Sequence, residues 1–130
     1  MKTPTALSLL LTLAIGVAGA AEADLVSIAW GADGRFAHEA TVPPSKFVEV
    51  CGKLPAGTNV DWSFDAAAPL NFNIHFHEGK QVRFPAKQDQ VAKADGTLRA
   101  EVDQDYCWMW TNKTARAATL KLSLKRTETR

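Results

Sequence analysis

Asn71-Phe72-Asn73-Ile74-His75-Phe76-His77 and Tyr106-Cys107-Trp108-Met109-Trp110-Thr111-Asn112 are the two stretches that decide how this chain folds. Both alternate with a period of two, the signature of a β-strand with one buried face. In the first, Phe72, Ile74 and Phe76 share one face, and Asn71, Asn73, His75 and His77 share the other. In the second, Tyr106, Trp108 and Trp110 oppose Cys107 and Met109. Each strand therefore carries a thick apolar layer on one side and nitrogen or sulfur side chains on the other.

The same period recurs outward from these segments. Residues 25–30, 35–42, 46–51, 59–64, 81–84, 97–102 and 118–125 read as further short strands. Gly34, Pro43-Pro44, Pro55-Ala56-Gly57, Gly79-Lys80 and Asp95-Gly96 punctuate them as turns, with Glu78-Gly79-Lys80 a tight hairpin connection. Residues 85–95 are polar and read as irregular, and helical periodicity is nearly absent. Strands of this length at 8–12-residue spacing predict an all-β fold, an antiparallel β-sandwich of about eight strands. Trp62, Phe64, Phe72, Ile74, Phe76, Trp108 and Trp110 are the expected core, joined by Leu98, Ala100 and Val102.

Residues 1–23 read as a secretory signal peptide. Lys2 gives the positive start, residues 6–17 the apolar run, and Ala18-Gly19-Ala20 or Ala21-Glu22-Ala23 an A-x-A cleavage site. The run is shorter than the roughly 20 residues of a spanning helix, so no membrane span is expected after cleavage. Residues 24–130 then form a single periplasmic or secreted domain. The formal charge of +1 offers no electrostatic case for nucleic acid or an anionic membrane. Basic residues from Lys121 onward alternate with Leu122 and Leu124, as on an edge strand with a solvated face.

The chain has two cysteines, Cys51 and Cys107. An oxidising compartment points to a disulfide between them; the alternative is a free Cys107 acting as a metal ligand. His75-Phe76-His77 puts two imidazoles on one strand face roughly 6–7 Å apart. With Met109, the only methionine after Met1, they make a mixed nitrogen and sulfur set suited to copper, which Trp108 or Trp110 would shield. Ordinary solvent-facing histidines are the alternative. No pair of carboxylates, nucleophilic serine or activated thiol forms a catalytic constellation, so the chain reads as a non-catalytic module for an unknown protein or small ligand. Asn112-Lys113-Thr114 matches the N-glycosylation pattern in an expected turn.

Taken together, Leu54-Pro55-Ala56-Gly57, Val60-Asp61-Trp62-Ser63-Phe64, the strand from Phe72 to the Gly79 hairpin, Gly96-Thr97-Leu98 and the Tyr106, Trp110 and Asn112 set resemble the GOLD domain, the β-sandwich of emp24/p24-type cargo proteins. The resemblance spans about two thirds of the mature chain. It implies a binding module without catalytic residues and a disulfide tying Cys51 to Cys107. In the family the late cysteine sits three residues after the tyrosine, where this chain has Met109.

Overall fold

The computed structural model describes residues 24–128, so the expected signal segment at residues 1–23 lies outside the described residues. Seven strands follow one another: β1 (Asp24–Ser27), β2 (Arg35–Val42), β3 (Phe47–Leu54), β4 (Thr58–Glu78), β5 (Gln81–Arg99), β6 (Gln104–Thr111) and β7 (Ala118–Glu128). They form one sheet in the order β1-β3-β6-β4-β7-β2, with β5 added to β4, curled so that its two halves face each other as a sandwich. Among the described residues there is no helix.

β4 is the strand that makes the curl. Its first half, from Thr58 to Ala66, pairs with β7, and its second half, from Asn71 to His75, pairs with β6. β5 follows β4 along both halves, closing the hairpin at Glu78↔Gln81. Gly79 sits there at φ 60°, as the first central residue of a type II′ turn requires. The register between β4 and β5 shifts between Asp65 and Leu70, where Ala66-Ala67-Ala68-Pro69 carries the chain from one layer to the other.

This accounts for the count of seven strands in place of about eight. Residues 59–64 and 71–77 are the two arms of one bent strand. Residues 85–95, expected to be irregular, lie within β5. Their polarity follows from position: β5 pairs only with β4, so much of it faces water. Proline at position 85 is tolerated on such an edge. A further shift lies between Leu70 and Phe72, where Gln90 takes φ 57° and the Asn71 side-chain oxygen accepts its backbone N–H at 3.1 Å. Gly96 is strand rather than turn: a Cβ there would lie 2.8 Å from the Trp62 ring, so only glycine lets β5 cross that indole.

Two further expectations change. β1 runs parallel to β3, so the sheet is mixed. β7, read as an edge, lies between β4 and β2, and its Lys121 pairs outward with Glu39 at 3.8 Å.

The core fills the space between the layers. Phe64, Phe72, Ile74, Trp108 and Trp110 are each 2% exposed or less, with Trp62 at 6%. Phe72 stands at the centre, with ring centroids 4.9 Å from Trp62, 4.8 Å from Phe64 and 5.5 Å from Trp110. Such aromatic pairs stabilise by about 0.5–1.5 kcal/mol beyond area burial. The indole N–H groups of Trp108 and Trp110 are buried without an acceptor, so packing holds these rings. Val102 departs from the expected core and is 39% exposed. Its backbone instead receives the buried Tyr106 hydroxyl, which donates to the Val102 carbonyl at 3.0 Å. A tyrosine at the start of a strand, bonded to backbone a few residues upstream, is a device of Greek-key sandwiches.

Asn112 is not an available glycosylation site. It is fully buried. Its amide donates to the carbonyls of Val42 at 2.9 Å and Arg116 at 2.7 Å, and its oxygen accepts from the Thr114 backbone N–H at 2.8 Å.

Candidate functional site

Three strands lay out the outer face of the first layer in rows. Cys51, Cys107 and His75 are register partners across β3, β6 and β4. Glu49, Met109 and Asn73 form the next row. The alternation that buries Val48, Val50, Trp108 and Ile74 therefore places all six on the opposite side. Cys51 and Cys107 are joined as a disulfide, so neither sulfur is a free ligand. Their Cα atoms are 4.1 Å apart, the close spacing of a non-hydrogen-bonded antiparallel pair.

His75 faces outward, as its alternation predicts, yet is only 6% exposed. Its ring reaches toward β3. Nε2 lies 3.1 Å from the Glu49 carboxylate, and Nδ1 lies 2.8 Å from the Asn73 side-chain oxygen. Phe84 stands against the same ring at 6.0 Å between centroids, and His77 meets it edge-on at 5.4 Å. A neutral imidazole has one ring proton and can donate to only one of the two oxygens; the imidazolium donates to both.

Burial holds the His75 pKa below the ordinary 6.5, and His77 acts in the same direction, while the charge and hydrogen bond of Glu49 oppose them. The unfolded chain therefore takes up this proton at a higher pH than the folded one. The corresponding stability is intact above about pH 6.5 and is lost as the pH falls through the lower folded value. Urea midpoints measured downward from about pH 7.5 should fall in that window, and His75→Gln should flatten this part of the profile. Identical pH profiles for the two proteins would contradict the assignment.

His75 and His77 are adjacent and Met109 shares their sheet face, but Trp108 and Trp110 point into the core and cannot shield that face. Glu49 was not among the candidate site residues. Its signal lay in the 46–51 alternation, which places it on the face of Cys51, so the disulfide register alone carries it toward Asn73 and His75.

A second feature had no signature in the sequence. Because β4 and β5 bend between layers, the two ends of β5 face each other across an open groove of about 590 Å³, away from the bend itself. Phe76, Phe84, Leu98, Val102 and Tyr106 supply its apolar surface, and Glu78, Arg83, Arg99 and Glu101 its charged rim. Phe84 is 50% exposed and Val102 39%. Glu78 and Arg83 pair across the rim at 3.7 Å, leaving little net field at that end.

No family model and no curated protein matches the chain. Solved structures do match its fold. Aeromonas hydrophila PliG, a periplasmic inhibitor of g-type lysozyme, superposes with a TM-score of 0.63 at 10% identity, over 82% of this chain and 98% of that one. Salmonella Typhimurium PliG gives 0.59 at 7% identity, over 82% of this chain and 100% of that one. The pre-peptidase C-terminal domain of Bacillus anthracis collagenase gives 0.57 at 14%, over 80% and 95% respectively. At these identities the likeness is one of fold. Of the expected GOLD resemblance, these comparisons support the β-sandwich and do not show the family.

Proposed function

We propose that the chain is an exported, non-catalytic module that binds another protein through the groove between the two ends of β5. One observation carries this reading: Phe84 and Val102 stand exposed beside a concave apolar surface on a sandwich whose remaining large hydrophobic side chains are mostly buried. Aromatic side chains in concave, polar-rimmed surroundings are the usual anchors of protein interfaces. The charges of both signs around the rim suit a partner segment of mixed charge presenting an apolar side chain. The disulfide and the signal-like residues 1–23 support export to the periplasm or beyond.

The inhibitors that share this fold give the first partner to test. Calorimetry of the oxidised protein against a g-type lysozyme should show a one-to-one complex. Phe84→Ala should weaken it at least about tenfold, equivalent to about 1.4 kcal/mol. Binding that ignores both Phe84→Ala and Val102→Asp would remove the groove. Native mass spectrometry of the protein from its own envelope separates a protein partner from a small ligand.

The copper reading rests on the 5.4 Å approach of the His75 and His77 rings, with Met109 on the same sheet face. A copper ion there has to displace Glu49 or Asn73 from His75. Cu(I) titration of the oxidised protein decides it: equal affinity in the wild type and a His75→Ala/His77→Ala double variant removes the idea.

A further inference from the structure

The disulfide sits inside a cluster whose other members are metal-ligand types. One Glu49 carboxylate oxygen and the sulfurs of Cys51 and Cys107 all lie within 4.8 Å of one another. His75 Nε2 is 3.1 Å from the same carboxylate group, and His75 is the register partner of Cys107. We propose that reduction of the Cys51–Cys107 bridge turns this face into a tetrahedral site for one zinc-class divalent ion, with Cys51, Cys107, His75 and Glu49 as its ligands.

Three features support it. First, the bridge is not what holds the two sulfurs together. β3 and β6 are paired continuously from Phe47↔Thr111 to Leu54↔Gln104, so the thiols stay side by side once the bond opens. Second, the spacing fits. Metal–ligand distances of about 2.0–2.3 Å put neighbouring ligands of a tetrahedron roughly 3.3–3.8 Å apart. Glu49 and the two sulfurs lie within about an ångström of that spacing, the sulfurs part once the bond opens, and the His75 ring, which lies outside that trio, has to close on it. Third, the ring has a second partner. In the tautomer with its proton on Nδ1, His75 donates to the Asn73 side-chain oxygen at 2.8 Å and leaves the Nε2 lone pair, 3.1 Å from Glu49, free for a metal. A second hydrogen bond of this kind fixes the orientation and tautomer of a ligating histidine. Two thiolates, an imidazole and a carboxylate select zinc over magnesium or calcium.

A dithiol supplies the electrons. Its thiolate attacks Cys51, which is more exposed than Cys107, and the S–S bond breaks with Cys107 leaving as thiolate. The second thiol of the reductant resolves the mixed disulfide, so the reductant is oxidised by two electrons as the protein gains two electrons and two protons. The ion then displaces both thiol protons to solvent. This goes beyond the groove reading, which concerns the oxidised protein, and differs from the copper set, which uses neither cysteine.

The test is anaerobic titration of the reduced, desalted chain with Co2+ as a spectroscopic probe, followed by Zn2+ competition. One Co2+ per chain is expected, with thiolate-to-cobalt charge transfer and the intense visible bands of a tetrahedral site; the oxidised chain should show neither. His75→Ala and Glu49→Gln should each weaken binding about tenfold or more. If reduction loosens the fold, zinc should restore the folded circular dichroism in the wild type and not in His75→Ala. The proposal is overturned if the reduced wild type binds no Co2+, if His75→Ala gives the same spectrum and affinity, or if zinc leaves a loosened chain unrestored.

Discussion

Asn112→Ala should destabilise the protein by about 3 kcal/mol and lower its melting temperature by roughly 10 °C. The reason is the asymmetry of buried hydrogen bonding. Each bond contributes only about 1 kcal/mol when made, but a buried partner left without one costs about 1–3 kcal/mol. Asn112 is fully buried and ties together three pieces of chain at one end of the sheet. Its amide reaches Val42 at the end of β2 and Arg116 before β7, and its oxygen holds Thr114. Its backbone N–H donates to Lys46 ahead of β3 at 2.9 Å. Alanine keeps that backbone bond but removes the donor to the Val42 carbonyl and the acceptor of the Thr114 N–H, and leaves Arg116 with the Thr114 hydroxyl alone at 3.0 Å. Asn112→Asp sharpens the test, because it keeps the acceptor for Thr114 but turns a carboxylate toward two carbonyl oxygens. It should be at least as damaging as alanine. Urea denaturation showing either variant within 1 kcal/mol of wild type would contradict this account.

Cys51→Ala/Cys107→Ala should cost about 4 kcal/mol, the chain-entropy value for the 56-residue separation that the bridge spans. That is a large part of the 5–15 kcal/mol available to a domain. The bridge ties residues in two strands whose intervening chain includes the whole β4–β5 hairpin, so opening it frees that loop in the unfolded ensemble. Reduced, metal-free wild type should match the double variant in denaturant midpoint. A reduced protein as stable as the oxidised one would show that the β3–β6 ladder already constrains the unfolded chain.

Much of the architecture was legible because period-two alternation survives wherever a strand has one wet face. β6 and the second half of β4 are the clearest cases. The disulfide followed from the compartment and from the GOLD resemblance. Three things were not legible. The Ala66-Ala67-Ala68-Pro69 stretch reads as a break, since nothing in it shows that the strands on either side are collinear through a bend. The groove is assembled from positions 76 to 106 by that same bend, and no spacing encodes it. The burial of His75 was missed for a different reason: alternation fixes which face a side chain takes but not what neighbouring strands place over it. Glu49 and Phe84 do this here, from two other strands.

The bent hairpin also governs how this chain tolerates gain or loss of a residue. A deletion within positions 60–64 would slide the rest of that arm by one place and exchange inside for outside against β5 and β7 together. The same deletion among the three alanines at the bend falls where pairing is already offset, and could be absorbed there. Length variation among chains built on this plan should therefore collect at the elbow and spare the arms.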